Sequence, residues 1–82
     1  MTLETKRFNS TAILWGGYDK DRQMLVLCFT SNQHMEYDYP RVPERIWLGL
    51  VSARSKGQYY NAHIRDTYGV DRIERRSLRQ WP

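Results

Sequence analysis

The 82-residue sequence contains a single cysteine, three prolines and two histidines. A lone cysteine, Cys28, excludes an internal disulfide and any zinc site built from cysteines. No apolar run approaches the roughly 18 residues of a membrane span. The polar segment Met1–Ser10 also lacks the apolar stretch of a secretory signal. These absences predict a reduced, cytoplasmic module.

The composition is that of a small folded domain, with 40% hydrophobic, 27% charged and 13% aromatic residues. A chain this short leaves much of its surface exposed, which argues against a deep, dry enzyme pocket. The whole net charge of +4 comes from positions 42–82, which hold eight Lys/Arg against four Asp/Glu. Ten of the thirteen basic residues are arginine, a side chain that pairs with phosphates and carboxylates. This excess of basic residues has two interpretations. The C-terminal half binds a polyanion or an acidic partner, or it is a basic surface without a specific partner.

The first half of the chain has the pattern of three strands. Thr11–Tyr18 is rich in β-prone residues, and Gly16-Gly17 within it indicates a bulge or a close backbone approach. Met24–Phe29 is a continuous apolar run, as expected of a central strand buried on both faces. His34–Tyr39 alternates apolar and polar residues. Short polar turns between these runs predict a three-stranded antiparallel β-meander.

The second half has helical periodicity. Apolar residues recur on one helical face over Pro43–Ser55, and Gly57 is a plausible stop for that helix. A second helix is expected over Gln58–Tyr68 and a third, helical segment in the tail. The predicted fold class is therefore α+β, with two to three helices packed on one face of the meander. Its predicted divisions are a flexible segment 1–9, an α+β domain 10–68 and an Arg-rich tail 69–82.

Two segments resemble a known family. They are Tyr37-x-Tyr39-x-x-Val42-Pro43 and Ser55-x-Gly57-x-Tyr59-Tyr60-Asn61-x-x-Ile64-Arg65. In this order and spacing, they are similar to the KTSC domain, which is named for its occurrence at the C-terminus of some lysyl-tRNA synthetases and also forms small stand-alone bacterial and phage proteins. The resemblance implies an RNA-binding role and no catalytic residues.

The two family tyrosines allow two interpretations. A tyrosine pair on a sheet can stack unpaired bases. However, Tyr37 and Tyr39 share a strand face with Met35, so helices packed on that face would place both rings in the core. Tyr39, near the strand end, is the ring expected to be reachable by a ligand.

Metal binding and catalysis have little support in the sequence. His34, Glu36 and Asp38 share one strand face, but their spacing is loose for a metal and no further ligands complete a shell, so a solvated strand face is expected. Cys28 lies in a buried run, where a thiol is usually inert. Gly16-Gly17 lacks the Lys-Ser/Thr that follows in a phosphate-binding loop. We therefore expect no enzyme, no cofactor and no metal.

Two basic segments are candidate binding sites. The junction between the first two helices places Arg54, Ser55 and Lys56 beside the start of the second helix, with Asn61 and Arg65 farther along it. An ordinary structural turn is the alternative interpretation. In the tail, one helical stripe would contain Arg72, Arg75, Arg76 and Arg79 and would suit successive phosphates.

These features lead to two functional hypotheses. The first is a non-enzymatic nucleic-acid-binding module, with RNA favoured because of the resemblance. Its predicted contacts are Arg54, Ser55, Lys56, Tyr39, Asn61, Arg65, Arg72, Arg75, Arg76 and Arg79. The alternative is a small adaptor or inhibitor that binds an acidic surface of a transcription or translation protein, with Trp47 or Trp81 as an anchor. Neither hypothesis involves a membrane, and the sequence leaves the oligomeric state open.

Overall fold

The fold is a five-stranded antiparallel sheet in which each strand pairs with the next along the chain. A computed structural model describes the backbone of residues 3–74 and the side chains of residues 3–70. The strands are β1 Leu3–Arg7, β2 Ile13–Asp19, β3 Met24–Phe29, β4 Asn32–Tyr39 and β5 Asp71–Glu74. The α+β class and the antiparallel meander are confirmed, but the sheet has two more strands than the three predicted.

The apolar run of β3 places this strand at the centre of the sheet, between β2 and β4. Because side chains alternate along a strand, Leu25 and Leu27 join the main core while Val26 and Cys28 face the other side of the sheet. Trp15 of β2 packs with Val26 and Cys28. The prediction of a strand buried on both faces is confirmed.

Two helical segments follow β4 and cover one face of the sheet. Helix α1 runs over Glu44–Ser52 and buries Ile46, Trp47 and Leu50. Helix α2, Lys56–Tyr59, continues directly into a π-helix, Tyr60–Ile64. The second helix predicted over Gln58–Tyr68 thus corresponds to a segment that ends at Ile64 and whose second half is wound more loosely. No helix of the described residues is long and apolar enough to cross a membrane.

Glycine lets two large rings pack closely against the backbone. A Cβ at Gly16 would lie 3.0 Å from Trp47 Cζ3 and 3.1 Å from the Phe8 ring. A Cβ at Gly49 would overlap the Tyr59 hydroxyl, which donates a hydrogen bond to the carbonyl of Ile46 (3.1 Å). The irregularity in β2 lies between Ile13 and Trp15. Gly16 therefore serves a close approach rather than a bulge.

Three further expectations about secondary structure require correction. Leu3–Arg7, placed in a flexible segment, form β1 and pair with β2. Asp71–Glu74, placed in a third helical segment, form β5 and pair with β4. Gly57 lies inside α2 and does not have a positive φ, so it is not the stop of α1. In the first two cases, strand pairing overrides the local pattern.

Candidate functional site

The tyrosine pair belongs to the core. Tyr39 is only 2% exposed, and its hydroxyl lies 3.0 Å from the Tyr60 hydroxyl in a hydrogen bond. Tyr37 is half-buried and packs edge-on against Phe29, with ring centroids 5.2 Å apart. The expectation that Tyr39 is reachable by a ligand is therefore wrong, because the Tyr60 ring and the helical layer cover it.

Burial of Tyr39 predicts a loss of stability at high pH. Desolvation, followed by its hydrogen bond to Tyr60, raises the pKa of Tyr39. The Tyr39 phenol therefore loses its proton at a lower pH in the unfolded chain than in the folded chain. The stabilisation is complete below the ordinary tyrosine pKa of about 10 and is lost as pH rises above it. We therefore expect the urea concentration at the unfolding midpoint to be lower at pH 11 than at pH 9.

The matched control for this prediction is Tyr39→Phe, which keeps the ring and removes the ionisable group. This variant should show a smaller fall in urea midpoint between the same two pH values. Burial also raises the pKa of Tyr18 and of Tyr59, but both residues are present in the two proteins, so the difference between the two falls isolates Tyr39. Equal falls in both proteins would contradict a coupling between folding and ionisation at Tyr39.

The helix junction keeps part of its predicted polar character. Arg54 and Ser55 are exposed, and Lys56 is half-buried. The Lys56 ammonium donates to the carbonyls of Val51 (2.9 Å) and Ala53 (2.5 Å) at the C-terminal end of α1. A lysine at this end of a helix satisfies carbonyls that have no intrahelical partner. Lys56 is therefore a helix cap as well as a nearby positive charge.

Ser55 is the N-cap of α2. Its side-chain oxygen accepts a hydrogen bond from the backbone N–H of Gln58 (3.2 Å). Replacing an N-cap serine with alanine typically costs about 1 kcal/mol. We expect Ser55→Ala to lower the free energy of unfolding by about that amount in urea titrations. Ser52→Ala, at an exposed neighbouring serine that is not an N-cap, is the control, and equal stability of both variants would contradict the capping role.

The structure brings a second loop to this junction. Residues 9–12, between β1 and β2, face residues 54–57 across a cleft of about 260 Å³. Asn9, Ser10 and Thr11 supply polar side chains to one wall, and Arg54 and Ser55 to the other. The sequence did not single out 9–12, because the two walls are more than 40 positions apart and their contact arises only on folding.

The other predicted contacts do not line this cleft. Asn61 and Arg65 are exposed on and just beyond the π-helix. Arg72 lies in β5 opposite Tyr37, so it is not part of a helical stripe. Arg75, Arg76 and Arg79 lie outside the described residues, as does Trp81. Trp47 is fully buried, so its ring cannot contact a partner in this conformation.

The described residues contain no group of three or more His, Cys, Asp or Glu side chains that could hold a metal. Glu36, expected on a solvated face, is instead buried at 1% exposure.

Cys28 is fully buried, and desolvation, with a smaller contribution from the charge of Glu36, raises the pKa of its thiol. A raised pKa disfavours the reactive thiolate. The His63 ring packs against Tyr59 at 4.5 Å between centroids.

Comparisons with known proteins agree with this architecture. The family model for the KTSC domain matches residues 9–68. A crystal structure of a KTSC domain protein from Yersinia pestis is similar at a TM-score of 0.81 and 32% sequence identity, covering 88% of this chain and 99% of that one. A comparison with curated protein sequences finds no match. Sequence and structure together establish that the chain belongs to the KTSC domain family.

Proposed function

We propose that this chain is a non-enzymatic nucleic-acid-binding module that acts in the cytoplasm and binds RNA. The observation that carries the proposal is the unequal exposure of its charges. Among residues 3–70, eight basic side chains are exposed but only three acidic ones. Such an excess attracts a polyanion at long range and offers contacts to its phosphates.

Two of the acidic side chains interact with neighbouring groups of the fold. Asp19 is buried, and its carboxylate accepts from the backbone N–H groups of Asp21 (3.1 Å) and Arg22 (3.3 Å). Glu44 is half-buried and lies 3.8 Å from the Lys20 ammonium. Arg54 and Arg65, in contrast, form no ion pair with the described residues. Residues 3–70 contain nine basic and seven acidic residues, a net charge of only +2, whereas their exposed side chains have an excess of five positive charges.

Phosphate contacts, rather than base stacking, are the expected mode of binding. No phenylalanine, tyrosine or tryptophan side chain among residues 3–70 is fully exposed. A sheet-based stacking platform needs exposed rings, and its absence in this part of the chain supports sequence-independent binding.

The test is a fluorescence-anisotropy titration of labelled single-stranded RNAs of equal length and unrelated sequence. We expect similar affinities for all of them at low salt, because phosphates are common to every sequence. A preference of more than about 10³-fold for one sequence would contradict phosphate-only recognition, since it approaches true specific recognition.

The second candidate function, a protein adaptor, has one observation in its favour. Leu48 is 52% exposed on the outer face of α1, with the exposed Arg45 three positions before it. Arginine next to apolar surface is common in protein interfaces. A pull-down from lysate distinguishes the two functions: captured proteins that survive nuclease treatment support the adaptor, and their loss supports nucleic-acid binding.

A further inference from the structure

We propose that the cleft between residues 9–12 and 54–57 is a binding site for a phosphate group, an inference that deepens the proposed function. Its volume of about 260 Å³ is far more than the roughly 10–15 Å³ needed for one water. The site thus has room for a phosphate and ordered solvent. The kind of ligand that the cleft can bind depends on the hydrogen-bond donors and the charges that line it.

Two serine hydroxyls in the cleft are left as donors. Ser10 Oγ accepts from the backbone N–H groups of Ala12 (3.1 Å) and Ile13 (3.2 Å). Ser55 Oγ accepts from the N–H of Gln58 (3.2 Å). A hydroxyl has one donor hydrogen besides its acceptor lone pairs. Both serines use their acceptors on the backbone and retain an O–H for an oxygen of the ligand.

Charge in the cleft is of one sign. Arg54 lines it with an exposed guanidinium, and its five N–H donors match the oxygens of a phosphate. Lys56 also lines it, and two of its three ammonium hydrogens are used on the carbonyls of Val51 and Ala53. No acidic side chain is found among the described lining residues. An anion therefore meets no like charge among the side chains that line the cleft.

The two walls are held in place before any ligand arrives. Thr30 ties down the loop 9–12, because its hydroxyl donates to the carbonyl of Thr11 (2.7 Å) and its N–H to that of Ala12 (3.0 Å). On the other wall, a Cβ at Gly57 would lie only 3.1 Å from the Ala12 Cβ, so the walls meet closely at this point. A site fixed in this way loses little conformational freedom on binding.

The first test is an NMR titration of the ¹⁵N-labelled protein with inorganic phosphate. We expect backbone shifts concentrated in residues 9–12 and 54–58. Arg54→Gln should weaken binding at least fivefold. The control, Arg45→Gln, removes the same charge at the other end of α1 and should change affinity less than twofold. Equal losses in both variants, or shifts spread evenly over the basic residues, would show diffuse attraction only and overturn the proposal.

The second test uses single-stranded RNA with either a 5′-phosphate or a 5′-hydroxyl, and both are titrated against the wild type and Arg54→Gln. A fivefold or larger preference for the 5′-phosphate, lost in Arg54→Gln, identifies a terminal phosphate as the ligand. Equal binding of both RNAs, weakened alike in Arg54→Gln, identifies an internal phosphodiester. RNA binding that Arg54→Gln leaves unchanged overturns the cleft but not the proposed function. Inorganic phosphate in the cleft without RNA binding would instead overturn the proposed function alone.

Discussion

Trp47→Ala is expected to lower the free energy of unfolding by about 3–5 kcal/mol, the usual cost of removing a buried tryptophan. The Trp47 ring is fully buried and stacks on Tyr18, with centroids 6.1 Å apart and planes within 9°. It also lies directly on Gly16, and its Nε1 donates to the Glu4 carboxylate (3.4 Å). Because small domains have only about 5–15 kcal/mol of total stability, this loss should leave the chain close to unfolding.

The matched control is Leu48→Ala, the next position along the same helix. Leu48 is 52% exposed, so its truncation should change the free energy of unfolding by no more than about 0.5 kcal/mol. Both variants are measured by urea titration with circular dichroism, because Trp47→Ala also removes a fluorophore. Equal urea midpoints for the two variants would contradict the placement of Trp47 at the centre of the core.

The double substitution Arg54→Gln/Arg65→Gln is expected to weaken RNA binding by about tenfold, which corresponds to about 1.4 kcal/mol. Both arginines are exposed and form no ion pair with the described residues, so their charges are available to phosphates. The salt dependence should become shallower by about 0.7 log units per lost contact on a single strand. Glutamine removes the positive charge but keeps a polar side chain, and neither arginine lies inside a helix, so helix propensity does not enter the comparison.

Two comparisons make this prediction specific. Unfolding of the double variant in urea should match the wild type within about 0.5 kcal/mol, which separates lost contacts from lost folding. The triple variant Arg75→Gln/Arg76→Gln/Arg79→Gln measures the tail in the same way. If only the tail variant loses affinity, Arg54 and Arg65 are not part of the interface. If neither variant loses affinity, the prediction that these arginines contact phosphates is wrong.

The centre of the sheet was predictable because its signal is local. The run Met24–Phe29 is apolar on both strand faces, and this pattern already requires cover on each side. The edge strands carry weaker signals. β1 reads Leu-Glu-Thr-Lys-Arg and β5 Asp-Arg-Ile-Glu, and charged residues are typical of edges that must not pair with other chains. Only pairing with β2 and β4 reveals them as strands.

The candidate site was predictable in part for the same reason. Arg54, Ser55 and Lys56 are adjacent in sequence, so a basic, polar helix junction is visible there. The facing wall at Ser10 is not, because it approaches only when the β1–β2 loop packs against α2. Tyr39 shows the converse case. Its exposure depends on Tyr60, 21 positions away, whose hydroxyl meets it in the core.

The salt dependence of RNA binding by the unmodified chain tests phosphate recognition most directly. Affinity for a single-stranded RNA is measured between about 50 and 200 mM salt, the range over which counterion release is pronounced. With three or four phosphate contacts at about −0.7 each, we predict a log–log slope between about −2 and −3. A slope near zero, or no binding even at the lowest salt, would contradict phosphate recognition and favour a protein partner.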